Sequence, residues 1–267
     1  MLKWCAYCQQ FMHEIAPYDD FSITHGLCAS CEATRKDLFA IDEVQQGRFL
    51  SEIFHALFDA GRHEDFETGT RIVERALTAN FRPVDILIGM ISPMLYEIGE
   101  EWKRGALSVE AEHRFTAFSE QVIRLVERRI DGAPPSNPKA TLVYLMNAPG
   151  NRHGLAVRIL ALWLESRGAR VRIFDDEIDD VSLMQRVVAE RPGYLLISMA
   201  LTEQRDRVAD ICHAAQTLPD DVRPKVIVGG YSVKAGLIKE MPAAELLSDI
   251  SVLQNAIAAP QEAVTGR

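Results

Sequence analysis

The sequence lacks several features that mark common protein classes. None of its apolar runs approaches the roughly 20 residues that a helix needs to span a bilayer. Its first residues, Met-Leu-Lys-Trp-Cys, also lack the apolar core of a signal peptide. We therefore expect a cytoplasmic protein that has no membrane partner.

A concentrated basic surface is absent as well. Lys and Arg number 29 against 38 Asp and Glu, which gives a net charge of −9. The feature most similar to a basic surface is the group Arg124, Arg128 and Arg129, which we interpret as the solvent-exposed face of a helix. Since binding to a phosphate backbone needs clustered positive charge, direct nucleic-acid binding is not expected.

Cysteine is scarce beyond the first 31 residues, where four of the five cysteines lie. They form two Cys-x-x-Cys pairs, Cys5 with Cys8 and Cys28 with Cys31, separated by 19 residues. This spacing is typical of a tetrahedral zinc site, and it predicts a zinc-ribbon-like module over residues 1–40. A redox-active dithiol pair and a site that has lost its metal remain as alternatives.

Residues 44–131 have the apolar spacing of four amphipathic helices, which predicts a small bundle. Pro83 stands where a helix tolerates proline, and Ser108 is placed to cap the last helix. Residues 132–139 carry three prolines and form the predicted linker.

Residues 140–260 alternate apolar, β-rich runs with helical segments, and residues 261–267 form a tail. This rhythm predicts a doubly wound, five-stranded parallel sheet of the flavodoxin or Rossmann-like kind, preceded by the helical bundle. The predicted strands are residues 141–146, 169–174, 194–198, 225–230 and, as a short last strand or helix entry, 249–253. The last predicted helix covers residues 232–241.

Three of these strands end in residues suited to a ligand. His153 lies in the loop after the first strand, Ser198 ends the third, and Gly229 and Gly230 end the fourth. In open α/β sheets, loops at the carboxyl ends of the strands bind ligands. One histidine is weak support by itself, so a plain polar loop residue remains an equal alternative.

The set His153-Gly154, Ser198 and Gly229-Gly230 resembles the signature of the cobalamin-binding domain, which runs Asp-x-His-x-x-Gly, Ser-x-Leu and Gly-Gly. The resemblance implies that His153 is the lower cobalt ligand and that the serine and glycines line the groove for the displaced cofactor tail. The chain departs from the family where Asn151 replaces a carboxylate and Ala156 a glycine. These departures leave haem open as another flat macrocycle.

A second pattern lies in the helical region, where Trp102 is followed after nine residues by Glu112 and His113. These residues could simply cover the end of the bundle and serve the helix dipole. Ahead of a cobalamin-like domain, however, the pattern resembles the helical cap of light-responsive regulators of the CarH/LitR type. The resemblance implies that all three residues surround the upper, adenosyl-bearing face of adenosylcobalamin.

This chain lacks the histidine that directly follows the tryptophan in those photoreceptors, since Lys103 stands there. It also lacks their DNA-reading helix-turn-helix, and in its place the first 31 residues resemble a short cysteine module found beside bacterial sensory domains. We therefore expect a non-enzymatic photoreceptor that regulates transcription through a partner signalling protein and changes its oligomeric state with light. A corrinoid methyl carrier and a haem or redox sensor are the alternatives.

Overall fold

The computed structural model describes residues 1–34, 41–130, 140–151, 154–174 and 178–253, with only the backbone for Thr34 and residues 41–47. The chain divides into two compact units, Met1–Asp131 and Gly132–Arg267. The predicted linker and tail lie outside the described residues. None of the described helices is both long and apolar enough to cross a membrane.

The first unit begins with a small three-stranded sheet. Its elements are β1 (Leu2–Cys5), β2 (Phe11–Glu14), β3 (Ile23–Gly26) and the following helix α1 (Ala29–Thr34). Strand β1 is central, antiparallel to β2 and parallel to β3. The parallel pairing sets Cys5 opposite Gly26, so the first cysteine pair lies beside the segment that carries the second.

Helices make up the rest of this unit, as the apolar spacing predicts. They are α2 (Ile41–Arg62), α3 (Phe66–Thr78), α4 (Pro83–Ile86), a π-helical turn (Leu87–Ile91), α5 (Ser92–Lys103) and α6 (Val109–Glu127). Ser108 caps α6 by accepting the N–H of Ala111 at 3.2 Å, which confirms the predicted cap. Pro83 lies in the first turn of α4, also as predicted.

Helices α4 and α5 are continuous through the π-helical turn. The amide of Ser92 donates to the carbonyl of Leu87, five residues back, where an α-helix would use the fourth. All five residues of the turn are buried. The sequence did not predict this turn, because its apolar spacing fits an unbroken helix.

The second unit is a parallel sheet with helical crossovers. In chain order its elements are β4 (Leu142–Asn147), α7 (Gly154–Glu165), β5 (Arg170–Phe174), α8 (Asp180–Glu190), β6 (Tyr194–Ser198), α9 (Arg205–Gln216), β7 (Lys225–Gly229), α10 (Tyr231–Lys234) and β8 (Glu245–Leu246). The strand order is β5-β4-β6-β7-β8, and every pair is parallel. This is the flavodoxin-like 2-1-3-4-5 order, so the predicted fold class is confirmed.

Alternation along the strands explains why the sheet is covered on both faces. Tyr144 and Met146 belong to one buried cluster with residues of α8 and α9. Val143 and Leu145, between and beside them, are also fully buried. Successive side chains of a strand point to opposite faces, so these two lie on the other face, where α7 packs against β4 and β5.

Near the end of the chain one predicted element is wrong, and one of two alternatives for another is confirmed. The last helix was expected over residues 232–241 but ends at Lys234, because Gly236 has a positive φ of 68° and turns the chain. For residues 249–253 the helix entry is confirmed and the strand is not, since residues 251–253 are helical and the fifth strand lies at Glu245–Leu246. Asp249 starts this helical turn by accepting the backbone N–H of Ser251 at 3.0 Å.

Candidate cofactor and metal sites

The order of the strands creates a crevice at one edge of the sheet. From β4 the chain crosses to β5 on one side, and it later returns to β6 on the other side. The loops after β4 and β6 therefore leave toward opposite faces of the sheet. Such a switch point, at the carboxyl ends of the strands, is where open α/β sheets bind ligands.

The strand register brings the predicted strand ends into one row. Asn147, the last residue of β4, pairs with Ser198, the last residue of β6, and Ser198 pairs with Gly229 at the end of β7. Asn147 is 8% exposed, whereas Ser198 and Gly229 are half-buried. The row thus offers an amide, a hydroxyl and a bare backbone at the switch point.

The loop after β4 is a tight turn held by Asn151. The Asn151 N–H donates to Ala148 O at 3.0 Å, across Pro149 and Gly150, and Gly150 has a φ of 81°. Proline followed by a positive-φ glycine is typical of a type II turn. The Asn151 side chain is 6% exposed, and its amide nitrogen lies 3.4 Å from Asn147 Oδ1.

His153 and its neighbour Arg152 lie outside the described residues. The glycines around them leave room, since no described atom lies within 4 Å of a Cβ placed on Gly150 or Gly154. In the sequence, position 153 directly precedes Gly154, the first residue of α7, and follows Asn151 by two positions. Its assignment as the cobalt ligand remains a prediction.

The fold itself requires glycine at position 230, which the sequence did not reveal. Its φ is 96°, and a Cβ there would lie 2.5 Å from Met199 O and 2.7 Å from Met199 N. The Ser232 hydroxyl, two residues on, also donates to Met199 O at 2.8 Å. Gly230 therefore lets β7 and α10 close against the segment after β6. Gly229 is less constrained, with Leu247 O at 3.1 Å from such a Cβ.

The three predicted upper-face residues lie at the end of α5 and the start of α6. Trp102 is 43% exposed in the last turn of α5, an unusual exposure for an indole. The His113 side chain is 71% exposed, and its Nε2 lies 3.6 Å from Glu112 Oε2. Glu112 itself is largely covered and accepts the Thr116 hydroxyl at 2.9 Å. The side chains of Trp102 and His113 are thus accessible to solvent, whereas the Glu112 carboxylate is fixed by its hydrogen bond with Thr116.

The four predicted zinc cysteines come together. The sulfurs of Cys5, Cys8, Cys28 and Cys31 all lie within 4.8 Å of one another, and Cys8 Sγ is 3.7 Å from Cys28 Sγ. Zinc–sulfur bonds of about 2.3 Å in a tetrahedron require sulfur–sulfur distances of about 3.8 Å. The cluster is therefore compatible with zinc in size and in ligand type.

Backbone amides support this thiol cluster. Burial alone would raise the pKa of the Cys5 thiol, but hydrogen bonds from the backbone of Cys8 and Cys28 hold that pKa below its usual value. The Cys28 N–H lies 3.4 Å from Cys5 Sγ. Burial raises the pKa of Cys31 to about 11. The fifth cysteine, Cys212, is fully buried in α9, and burial raises its pKa to about 12, as is typical of an unreactive buried thiol.

Two buried polar residues of interest were missed by the sequence analysis. Asn147 directly follows the strand predicted over residues 141–146 and, like Asp85, was not singled out. Asp85 is fully buried and pairs with Arg82 through two hydrogen bonds of 2.7 and 2.8 Å. An Arg and an Asp three residues apart at a helix start would have been the available signal.

Residues 53–127 match the family model of the B12 binding domain. This part of the chain is similar to B12 binding domains. The matched range runs from within α2 to the end of α6, so the similarity lies in the helical part of the first unit. It includes Trp102, Glu112 and His113.

Two known proteins are similar to this chain over longer ranges. The HTH-type transcriptional repressor CarH of Myxococcus xanthus is 24% identical over 154 residues, which are 57% of this chain and 49% of that protein. The chain thus spans about half the length of this relative. The structure of the Methanosarcina barkeri monomethylamine corrinoid protein aligns with a TM-score of 0.63 at 17% identity, covering 78% of this chain and 97% of that one. This second likeness shows a shared fold.

Proposed function

We propose that this protein is a cobalamin-dependent sensor that passes the state of its cofactor to a partner protein. The match of the helical unit to the B12 binding domain carries the proposal. The similarity to a transcriptional repressor favours a regulatory role over a catalytic one. Adenosylcobalamin is the proposed form, and its cobalt–carbon bond would supply the light-sensitive chemistry.

The residues proposed to hold the cofactor fall into two groups. Trp102, Glu112 and His113 of the first unit offer an accessible ring, a held carboxylate and an accessible imidazole. In the second unit, His153 is the proposed cobalt ligand and Asn151 the residue that orients it. Asn151 fits that role because its buried amide is already fixed against Asn147.

Ser198, Gly229 and Gly230 are the proposed groove residues for the cofactor tail. Ser198 and Gly229 lie in the row of strand ends and are half-buried, so both remain accessible in part. Gly230 would contribute through the backbone path that its positive φ permits. Its close approach to Met199 makes the folding role the stronger of the two.

Zinc is the proposed occupant of the four-cysteine cluster, with a structural role. Four sulfur ligands fill a tetrahedron and leave no open position for a substrate. A small three-stranded sheet has little core of its own, so a bound metal would stabilise it.

A corrinoid methyl carrier is the second candidate, because a corrinoid protein shares the fold. A carrier has to open the upper face of its cofactor to two partner enzymes. A lid residue such as Trp102 would obstruct that exchange. We therefore place the sensor first.

The two functions are separated by absorption spectra of the purified full chain, mixed with adenosylcobalamin or methylcobalamin and measured in the dark and after illumination. A sensor should prefer the adenosyl form and change its elution volume in size-exclusion chromatography after light. Equal binding of both forms with no change in assembly would favour the carrier. Absence of any corrinoid binding would contradict both functions.

The cobalt ligand is tested by His153→Ala, with His213→Ala as the control because His213 is exposed on α9 of the same unit. We expect His153→Ala to weaken cobalamin binding at least tenfold, or to alter the cobalt spectrum, while the control matches the original chain. An unchanged affinity and spectrum in His153→Ala would refute its role as ligand.

A further inference from the structure

The cysteine module contacts one helix of the B12 binding domain at three points, which together we call the clamp. The clamp consists of Phe11 on Asp85, Trp4 on Gly89, and Phe21 on Tyr96. The three helix residues lie before, inside and after the π-helical turn. The module therefore holds this helix on both sides of its irregular turn.

The first point of the clamp is a hydrogen bond to a buried charge. The backbone N–H of Phe11 donates to Asp85 Oδ2 at 3.1 Å. The same carboxylate is held by Arg82, and it is fully buried. Because a buried carboxylate is costly without partners, this bond ties β2 firmly to the start of the helix.

The second point is a close contact of an indole with helix backbone. Trp4 is fully buried, and a Cβ placed on Gly89 would lie 2.3 Å from its Cζ2 atom. Trp4 also packs edge-on against Phe11, with ring centroids 5.5 Å apart. Only glycine leaves space for the indole here, so this contact depends on the residue at the centre of the π-helical turn.

The third point lies in α5, where the Phe21 and Tyr96 rings stack at 5.9 Å with an interplanar angle of 16°. Two of the three module residues are close in sequence to cysteines of the cluster. Trp4 directly precedes Cys5, and Phe11 follows Cys8 by three residues. A metal that fixes the cysteine loops would thus also fix the clamp.

The π-helical turn gives the helix a second possible state. A π-helical turn accommodates one more residue than an α-helical turn, and such turns occur frequently at functional sites. Conversion to regular α-helix would turn the following residues by about 100° and shift them by about 1.5 Å relative to those before the turn. Trp102, exposed in the last turn of α5, would move with them.

We propose that metal occupancy of the four-cysteine cluster controls corrinoid binding, because the metal-bound module clamps the helix of the B12 binding domain across its π-helical turn. The inference rests on the proposed function, since it assigns a regulator to the same site. The coupling runs through Trp4 and Gly89, Phe11 and Asp85, and Phe21 and Tyr96. Zinc binding to the cysteine cluster thus changes the corrinoid affinity of the cofactor site.

The test uses the full chain, loaded with zinc or stripped by a chelator. Hydrogen exchange of the amides in residues 87–103 is measured first, without any corrinoid. We expect zinc removal to accelerate exchange there at least tenfold. Cobalamin affinity is then measured in both states, and we expect zinc removal to weaken it at least tenfold.

A variant that breaks the clamp without touching the cysteines is Gly89→Ala. Gly99→Ala is its matched control, because Gly99 lies in α5 and no described atom comes within 4 Å of a Cβ there. In Gly89→Ala we expect one zinc per chain, with the same cobalamin affinity in both zinc states. Gly99→Ala should keep the full zinc dependence. Tyr96→Ala, which removes only the ring stack, provides a second clamp variant should Gly89→Ala fail to fold.

The outcomes separate the two proposals. If the amide hydrogen exchange rates in residues 87–103 are the same with and without zinc, the clamp is overturned whether or not cobalamin binds. Cobalamin binding that is equally tight with and without zinc would overturn the regulation and leave the B12 function standing. Zinc-dependent exchange without any cobalamin binding would overturn the proposed function and, with it, the control of corrinoid binding.

Discussion

The substitution Gly230→Ala tests whether this glycine serves the fold or only the cofactor groove. Two costs combine at this position. The first is a backbone φ of 96°, and the second is the approach of Met199 O to 2.5 Å from the added carbon. Gly236 supplies the matched control, since its φ is also positive, 68°, and no described atom lies within 4 Å of its Cβ position.

The control measures the cost of a positive φ at a position where the added Cβ meets no described atom. Gly230, with φ 96° and ψ −177°, lies in a region that almost only glycine adopts, so its own backbone cost is at least as large. Alanine in a left-handed conformation costs about 1–2 kcal/mol, and the lower entropy of the unfolded chain offsets part of it, about 0.4–1 kcal/mol. Gly236→Ala should therefore lower the free energy of unfolding by about 1 kcal/mol.

Gly230→Ala must additionally push apart two backbone segments. Overpacking of this kind costs about 1–3 kcal/mol, and weakening the Ser232 bonds to Met199 O adds about 1 kcal/mol. We expect a total loss of about 3–5 kcal/mol in the free energy of unfolding.

Urea denaturation of the cofactor-free chain, followed by circular dichroism, measures the difference between the two variants. With a slope of about 2 kcal/mol per molar urea, Gly230→Ala should unfold at a urea concentration about 1–2 M lower than Gly236→Ala. Equal midpoints would refute the folding role. If cobalamin binding were then lost in Gly230→Ala alone, the glycine would belong to the groove.

Two further predictions concern polar residues. Asp85→Ala should lower the free energy of unfolding by about 2–4 kcal/mol, because it leaves the buried Phe11 N–H without its acceptor. Its control is Asp249→Ala, at a partly exposed cap, which should lower the same free energy by no more than about 1 kcal/mol. Both are measured by urea titration, and equal losses would contradict the clamp. Asn151→Asp should tighten cobalamin binding about tenfold in a spectroscopic titration by restoring a charged partner for His153, and an unchanged or weaker affinity would remove Asn151 from the orienting role.

Local patterns in the sequence were sufficient wherever a short segment decides its own structure. The Ser108 cap, Pro83 at a helix start and the strand Tyr194–Ser198 were predicted at their observed positions. The two cysteine pairs were also recognisable, because each chelating turn lies within four residues. Position 153, by contrast, remains a prediction from the family signature.

The sequence by itself determined the class of this protein: a cysteine module, a helical bundle and a parallel sheet, each encoded by spacing that repeats over a few residues. Only the tertiary structure explains why the carboxylate of Asp85 is buried, why positions 89 and 230 require glycine, and why one helix contains a π-helical turn. Each of these depends on a segment distant in the chain, such as Phe11, Trp4 or Met199. Contacts between segments that are far apart in the chain are set by tertiary packing, so they cannot be predicted from the spacing of residues within one segment.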